Sequence, residues 1–351
     1  MKISISILEK DENYLKKLTA ALNMRYSDKV EIQAFNDVQK ALEHVKVSRP
    51  DLFVFNSSLD VDTSLLPVGC IPVYFSDSND IDSIHGIKTI GKFQKIDTIY
   101  KQFLNIYSEE HNDITLKKVQ NGQCKCIAFM SPAGGVGAST MAAATARFMA
   151  KSGKKTLYVD LDTYGDMDAF FSAEGQLDMG SIIYELKKGN TNLQLKLESV
   201  IKQDAAGVYF IQQPKVLLDM MELTKQDEAV LIDELKSELD FQYVVLDMEF
   251  SLSKESVETY QHVDQIVLVS DGTEISNRKL QRSIEACRIM EQNSSVALES
   301  KISMVYNRFG SKSGQILKDI NMIGGVPIFQ AEKASKIVEQ ISGMEFLKHL
   351  M

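Results

Sequence analysis

Residues 131–140 read Ser131-Pro132-Ala133-Gly134-Gly135-Val136-Gly137-Ala138-Ser139-Thr140, and they follow the apolar run Cys126-Ile127-Ala128-Phe129-Met130. Small residues allow the main chain to wrap closely around a phosphate, and the first amides of the next helix then point at the anion. A strand, a glycine-rich turn and a helix in this order are the context in which such a loop binds a nucleotide. The sequence therefore predicts a P-loop domain, although no lysine or arginine occurs in residues 131–140.

The rest of the chain alternates strand-like and helix-like segments on both sides of this loop. Downstream, the pattern predicts a helix at 141–150 and strands at 156–159, 208–211, 243–246, 265–269 and 302–305. Upstream, it predicts helices at 13–25, 37–47 and 96–107 and five strands at 3–8, 30–35, 52–55, 71–75 and 87–90. Apolar strands separated by helices are typical of parallel sheets covered on both faces.

These segments predict an α/β protein with two doubly wound domains, and 351 residues are enough for both. The first, over residues 1–107, is flavodoxin-like. A polar linker follows over 108–123, where the chain reads Ser108-Glu109-Glu110-His111-Asn112-Asp113 at its start. The second, over 124–351, is the P-loop domain with a mostly parallel sheet.

The charge balance of the chain is acidic, with 39 Lys and Arg against 48 Asp and Glu and a net charge of −9 at pH 7. This balance argues against nucleic acid as a partner. No apolar run reaches the roughly 20 residues that span a bilayer. The start of the chain, Met1-Lys2-Ile3-Ser4, alternates polar and apolar residues and lacks the apolar core of a signal peptide. We therefore expect a cytoplasmic protein that does not bind membranes directly.

The four cysteines, at positions 70, 124, 126 and 287, do not form the pattern of a disulfide framework. Cys124 and Cys126 are close enough in sequence to suggest a metal site, but no further Cys or His ligand lies nearby in the sequence. We interpret them as structural thiols at the edge of a strand.

The P-loop segment resembles the deviant Walker A ATPases of the ParA/MinD family, whose loop reads Lys-Gly-Gly-Val-Gly-Lys-Ser/Thr-Thr. The resemblance continues at Asp160-Leu161-Asp162, and at Phe241-Gln242-Tyr243-Val244-Val245-Leu246-Asp247, which is similar to the family's Walker B strand. Two later segments also match, at 264–269 and at Val305-Tyr306-Asn307-Arg308. The similarity covers residues 124–345 and implies ATP and Mg²⁺ as ligands.

Residue roles follow from this resemblance. It implies that main-chain amides surround the phosphates at Gly134, Gly135, Val136, Gly137 and Ala138. It also implies that Ser139 ligates Mg²⁺ and that Thr140 lies beside the α-phosphate. Asp247 would hold the metal through water, and Asp162 would contribute to the metal site and orient the attacking water, unless it is vestigial. Asn307 and Arg308 would face the base.

Two alternatives remain open for these residues. Asp162 and Asp166, which have the spacing of the family's switch I acids, could instead be strand-end aspartates that cap the helices that follow them. The loop itself could be a glycine-rich turn that binds nothing.

The departures from the family concern catalysis. The family's signature lysine is Ala133 here, its Walker lysine is Ala138, and Pro132 replaces a usual glycine. Phosphoryl transfer depends on cations that stabilise the transition state, and the loss of one donor costs on the order of 10²–10³-fold in rate. We therefore predict nucleotide binding with slow or absent hydrolysis.

Residues 1–107 resemble the receiver domain of response regulators, in which an aspartate that ends the third strand accepts the phosphoryl group. Here Pro50-Asp51-Leu52-Phe53-Val54-Phe55 leads to Asn56, and an amide cannot be that nucleophile. The family's acidic pair, which binds Mg²⁺, is matched by Glu9 and Lys10, and Asp11 is only a partial substitute. The resemblance implies a pseudo-receiver used for protein contacts.

Two further receiver positions are retained. Ser76 matches the hydroxyl that follows the fourth strand of the family, and Lys92 matches the lysine that follows the fifth strand. The alternative is that both are ordinary surface residues of a flavodoxin-like fold.

A receiver-like domain ahead of a ParA/MinD-like domain is the architecture of the TadZ/CpaE-like family of pilus assembly proteins. This resemblance implies an ATP-binding homodimer that acts at a cell pole. There it would recruit components of the Tad-type (type IVc) pilus secretion machinery. Two alternatives are an active ATPase switch acting on DNA or membrane, and a signalling response regulator. The C-terminal residues 336–351 are mildly amphipathic, and we interpret them as the last core helix rather than a membrane anchor.

Overall fold

The computed structural model describes residues 2–110, 124–189, 193–237, 239–293, 296–310, 316–317, 320–330 and 333–351. The chain forms two compact units. Within the described residues, the first unit holds 2–110 and 193–199, and the second holds the others. Both units contain a mostly parallel sheet, which confirms the predicted α/β class.

The first unit is built on a six-stranded sheet with the order β2-β1-β3-β4-β6-β5. Its strands are β1 (Ile3–Leu8), β2 (Val30–Phe35), β3 (Leu52–Asn56), β4 (Ile71–Ser76), β5 (Ser83–Ile84) and β6 (Ile87–Gly91). Its first three helices are α1 (Glu12–Tyr26), α2 (Val38–Ser48) and α3 (Ile96–Glu110). All pairings are parallel except the short β5–β6 hairpin, which was not predicted.

The helix α3 extends one turn further than predicted, through residues that we expected to begin the linker. Ser108 is buried and donates its hydroxyl to the carbonyl of Asn105 at 2.8 Å. The Asn105 amide also donates to Glu109 at 3.0 Å, which is the i, i+4 spacing that stabilises a helix. The remaining predicted linker residues, 111–123, lie outside the described part of the chain.

The second unit is built on an eight-stranded sheet with the order β14-β13-β12-β7-β11-β8-β10-β9. Its strands are β7 (Lys125–Met130), β8 (Thr156–Asp160), β9 (Lys202–Gln203), β10 (Tyr209–Phe210), β11 (Tyr243–Asp247), β12 (Gln265–Ser270), β13 (Ile302–Tyr306) and β14 (Met322–Gly325). The remaining helices are α4 (Ala138–Lys151), α5 (Met179–Lys188), α6 (Leu193–Val200), α7 (Leu217–Met221), α8 (Lys225–Ser237), α9 (Lys254–Thr259), α10 (Glu274–Asn293) and α11 (Ala334–Ile341). Only β9 runs antiparallel to its neighbour. The edge strands β9 and β14 were not predicted, because each is too short or too glycine-rich to show a clear apolar run.

The segment 193–199 of α6 belongs to the first unit, although it follows α5 in sequence. Leu195 is buried in the core of that unit. Lys196 is also buried, and its ammonium donates to Asn105 at 2.6 Å and to Glu109 at 3.3 Å. The sequence pattern did not predict this placement, because α6 alone carries no signal for the unit to which it belongs.

The sheet of the second unit brings three chemically important strand ends together. Asp247 at the end of β11 is in register with Asp160 at the end of β8 and with Phe129 near the end of β7. In open parallel sheets, ligands bind at the carboxyl ends of the strands. The P-loop, which follows β7, therefore lies beside both aspartates.

The C-terminal residues are part of the core, as interpreted from the sequence. The helix α11 is followed by a short 3₁₀ turn at Glu345–Leu350, in which Leu347 and Leu350 are fully buried. Among the described residues, no helix combines the length and apolar character needed to cross a bilayer.

Candidate nucleotide-binding site

The P-loop has the open main-chain geometry that a phosphate requires. Gly135 and Gly137 have φ angles of 73° and 93°, in the left-handed region that favours glycine. Open space lies above Gly134 and Gly135, where an added Cβ would meet no atom within 4 Å. Among the described residues, no hydrogen-bond acceptor is recorded for the amides of 134–140. The loop therefore presents free donors at the start of α4, an arrangement that suits an anion.

Asn307 holds the loop from the neighbouring strand β13. Its side chain is buried and donates to the carbonyl of Val136 at 2.8 Å. A Cβ on Gly137 would lie only 2.2 Å from the side-chain nitrogen Nδ2 of Asn307. Glycine at 137 is therefore required both by its φ angle and by the close approach of Asn307.

Arg308 lies on the same side of the loop as Asn307. A Cβ on Gly137 would lie 3.8 Å from Nη2 of Arg308, so the guanidinium is next to the loop. Arg308 is exposed, and its φ angle of 55° is left-handed.

Three aspartates are close together beside the loop. Ser139 hydrogen-bonds the buried carboxylate of Asp247, and the Tyr158 hydroxyl donates to the same carboxylate at 3.2 Å. Asp160 is buried, and its Oδ1 accepts from the main-chain amide of Asp162 at 3.1 Å. Its other oxygen, Oδ2, is buried without a hydrogen-bond partner. Oδ2 of Asp160 can therefore still accept a hydrogen bond or contact a cation, and it is shielded from water.

Burial, and then the proximity of the acids to one another, raises the pKa of both Asp247 and Asp160. Burial, followed by the charge of Asp162, raises the pKa of Asp247 to about 7, although hydrogen bonds from Ser139 and Tyr158 oppose the shift. Burial and the neighbouring charge of Asp247 raise the pKa of Asp160 well above its usual range. A cation at the site would relieve this repulsion.

These oxygen donors fit Mg²⁺, which prefers carboxylate, hydroxyl and phosphate oxygens. Ser139 and Asp247 would hold the ion, and the ion would supply charge neutralisation for bound phosphates. In the described part of the chain, no three Asp, Glu, His or Cys side chains lie close enough together to bind a metal alone. Water and phosphate oxygens would have to complete its coordination.

Asp162 and Asp166 have different surroundings. The Asp162 carboxylate accepts from the amide of Tyr164 at 2.8 Å, so it stabilises the turn that follows β8. Asp166 is exposed, and its side chain makes no capping hydrogen bond. Gly165 packs on the Asp160 carboxylate so closely that a Cβ would lie 2.2 Å from its Oδ2. The Asp162 carboxylate therefore closes a turn, and Asp166 makes no side-chain cap to the 3₁₀ turn at Met167–Ala169 that follows it.

Asp160 and Tyr158 are two residues of this site for which the sequence predicted no role. Asp160 belongs to the Asp160-Leu161-Asp162 motif, so its spacing was a usable signal. Tyr158 lies inside an apolar strand, and nothing in the sequence indicates that its hydroxyl meets Asp247.

The residues that match the receiver site form a closed network in the first unit. The Asn56 amide donates to both carboxylate oxygens of Glu9, at 3.1 and 2.9 Å. The Lys92 ammonium lies 3.0 Å from Glu9 and 2.7 Å from Asp77. Glu9 and Lys92 are 2 % and 8 % exposed, so Lys92 is a buried ion-pair partner rather than an ordinary surface residue.

Asp11 and Ser76 serve local structure in the same region. Asp11 is the N-cap of α1 and accepts from the amides of Asn13 and Tyr14. The Ser76 hydroxyl is buried and accepts from the amide of Ser78 at 3.1 Å. A side chain that caps a helix has less freedom to bind a metal ion. Asp11 is thus a weak substitute for a second acidic ligand.

Comparisons with protein families agree with this architecture. Residues 124–301 match the family model described as an AAA domain. The chain belongs to this AAA domain family. Residues 1–108 match the family model described as TadZ-like, receiver domain. The chain therefore carries a TadZ-like receiver domain fused to a ParA/MinD-like AAA domain.

Individual relatives resemble the AAA domain. The septum site-determining protein MinD of Escherichia coli K12 is 26 % identical over 150 residues, which are 42 % of this chain and 53 % of MinD. The chain thus spans about half the length of the curated relatives it matches.

Two solved structures show the same fold. They are a ParA family ATPase from Chlorobium tepidum TLS and MinD complexed with Mg-ADP from Pyrococcus horikoshii OT3. The first has a TM-score of 0.50 and 18 % identity over 64 % of this chain and 95 % of its own. The second has a TM-score of 0.50 and 15 % identity over 64 % of this chain and 92 % of its own.

Proposed function

We propose that this chain is an ATP-binding, dimerising scaffold that places or assembles Tad-type pilus secretion machinery and hydrolyses ATP slowly or not at all. The observation that carries the proposal is the set of free main-chain amides at 134–140. The Ser139 side chain of the same segment contacts Asp247, and residues 131–140 contain no lysine. Anion-binding geometry is present, whereas the usual cations for catalysis are replaced by Ala133 and Ala138.

In this proposal, the amides of Gly134 to Ala138 bind the phosphates, Thr140 lies near the α-phosphate, and Ser139 and Asp247 bind Mg²⁺. Asp162 orients water or is vestigial, and Asn307 and Arg308 face the base from the β13 side. The Mg-ADP bound by the Pyrococcus horikoshii relative supports this choice of ligand.

The pilus role, the homodimer and the polar location rest on the TadZ-like receiver domain and its fusion to the AAA domain. The closed network of Glu9, Asn56 and Lys92 supports a receiver-like domain that contacts other proteins without being phosphorylated. Partners, rather than a membrane segment of the described chain, would place the protein at a pole.

Calorimetric titration of the full chain with Mg-ATP tests the binding step, and a steady-state ATPase assay tests the scaffold role. We expect saturable binding and turnover far below that of active ParA/MinD relatives. Failure to bind at millimolar Mg-ATP would refute nucleotide binding. Turnover comparable to active relatives, abolished by Asp162→Ala, would instead support an ATPase switch.

A further inference from the structure

The proposed nucleotide site has an excess of negative charge. Asp160, Asp162 and Asp247 adjoin the loop, and no salt bridge to a lysine or arginine is recorded for them among the described residues. A nucleoside triphosphate would add several more negative charges, of which one Mg²⁺ neutralises only part. Tight phosphate binding in proteins usually adds a cationic side chain.

Arg308 is the cation that the structure places against the loop. Its Nη2 lies 3.8 Å from the position of a Cβ on Gly137, whose own amide is among the free donors. Within the part of the chain that the structure describes, the guanidinium has no carboxylate partner. It is exposed and available to an anion.

The main chain around Arg308 is held in an unfavourable conformation. The φ angle of 55° is costly for a residue with a Cβ. The amide of Asn307 donates to Ser270 and that of Phe309 donates to Val326, each at 2.8 Å, so both neighbours are fixed. The amide of Arg308 itself donates to the Asn307 side chain at 3.0 Å. Left-handed non-glycine residues that are held in this way are concentrated at ligand sites.

We propose that Arg308 binds the phosphates of the nucleotide and supplies the positive charge that Ala133 and Ala138 lack. This inference rests on the proposed function. The planar guanidinium can donate two parallel hydrogen bonds to phosphate oxygens. Arg308 thus acts at the phosphate end of the ligand, which differs from the base-facing role that the resemblance implies for it. Asn307 fixes both the loop and the main chain from which Arg308 extends.

The experiment is calorimetric titration of the full chain with Mg-ATP, comparing the wild type with Arg308→Ala and Arg308→Gly. Both variants should bind roughly ten- to a hundredfold more weakly, the range for loss of a hydrogen bond to a charged group. Arg308→Gly relieves the left-handed strain, so a loss in that variant is not caused by misfolding. Arg278→Ala is the matched control, because Arg278 is exposed and pairs with Glu274 one turn away.

A double variant, Ala138→Lys with Arg308→Ala, tests whether the positive charge of Arg308 acts at the phosphates. If Arg308 acts on the phosphates, a lysine at 138 should restore most of the lost affinity. An affinity of both Arg308 variants within twofold of wild type overturns this inference alone, as does a loss that Ala138→Lys does not recover. Absence of Mg-ATP binding by the wild type overturns the proposed function and this inference with it.

Discussion

Asn56 donates its side-chain amide to both carboxylate oxygens of Glu9, and the Lys92 ammonium pairs with the same carboxylate. In a receiver, this place would hold a second carboxylate and a metal ion between the two. Here an amide and an ammonium contact the Glu9 carboxylate directly. Glu9 is therefore paired within the first unit by Asn56 of β3 and by Lys92, which follows β6.

Restoring an aspartate at position 56 should destabilise the protein. Asn56→Asp places a second carboxylate against buried Glu9 and removes two hydrogen bonds, so we expect a loss of about 1–3 kcal/mol in the free energy of unfolding at pH 7. Millimolar Mg²⁺ should recover part of this loss by binding between the two carboxylates. Urea denaturation with and without Mg²⁺ measures both effects.

The matched control is Asn36→Asp. The Asn36 amide also donates to a glutamate, Glu12, at 2.8 Å, but this pair is exposed. Its loss should cost well under 1 kcal/mol, since solvent screens exposed charges. Equal effects of the two substitutions would contradict the closed-site interpretation.

Removal of Lys92 should show a characteristic pH dependence. Burial lowers the pKa of Lys92, but hydrogen bonds to Asp77 and Glu9 outweigh burial and raise that pKa above its ordinary value. Because the folded pKa is raised, the stabilisation is fully present below the ordinary lysine pKa of about 10.4 and is lost as pH rises through the folded value. Lys92→Met should therefore lower the free energy of unfolding by on the order of 3 kcal/mol at pH 7 to 10.

This difference between wild type and Lys92→Met should shrink only above about pH 10.4. Denaturation curves collected from pH 7 to 11 give the difference directly, and effects of other titrating groups largely cancel between the two proteins. A difference that disappears between pH 7 and 9 would show that Lys92 is not held as an ion-pair partner.

Substitution of two P-loop glycines should have different effects on stability. Gly137→Ala forces a Cβ against the Asn307 amide and into a left-handed conformation, so we expect a loss of about 1–3 kcal/mol. Gly134→Ala meets no atom within 4 Å and should leave the stability nearly unchanged. Thermal melting without nucleotide compares the two. Adding Asn307→Ala to Gly137→Ala should recover part of the loss, and equal melting temperatures for the two single variants would contradict this geometry.

A lysine at position 138 should increase ATP hydrolysis. Ala138→Lys adds a cation at the first residue of α4, where the resemblance to ParA/MinD ATPases places the Walker lysine. One restored electrostatic donor corresponds to on the order of 10²-fold in turnover. Steady-state phosphate release measures the change, and Asp162→Ala in the same background should abolish it. No gain in turnover, with Mg-ATP binding intact, would mean that another group limits catalysis.

The cysteines should react slowly with alkylating reagents. Burial raises the pKa of Cys70, Cys124 and Cys287 to about 11 in each case, and burial also raises that of Cys126. A thiol with a pKa near 11 is about one thousandth thiolate at pH 8, and only the thiolate is the nucleophile. Mass spectrometry after iodoacetamide treatment should show the half-buried Cys70 reacting first, and far more slowly than free cysteine. All four should react rapidly in denaturant, and fast labelling of any one in the folded protein would contradict its burial.

Much of the site could be predicted because its signals are local. The loop Ser131–Thr140 follows its strand directly and opens its helix, so the glycines indicated a phosphate-binding turn from their context, and the resemblance to ParA/MinD ATPases added the role of Ser139. Asn56 likewise occupies a position defined by the preceding strand. Asp247 was assigned from the likeness of residues 241–247 to the family's Walker B strand, and the structure places it at the carboxyl end of β11.

Other features depend on contacts between residues far apart in sequence. Asn307 meets Val136 across 171 positions, and Lys92 meets Glu9 only because β6 and β1 lie in the same sheet. No periodic pattern near Arg308 indicates that its guanidinium lies against Gly137.

The sequence by itself determined two α/β domains, a P-loop without lysines and a receiver site without its aspartate. These properties follow from residue type and short-range spacing, which fix local conformation and chemical capability. Only the tertiary structure decided that Lys92 neutralises Glu9, that Arg308 adjoins the phosphate loop, and that residues 193–199 join the first unit. Such contacts arise from strand order and packing, because folding brings distant segments together to bury apolar surface, and local propensity does not encode which segments meet.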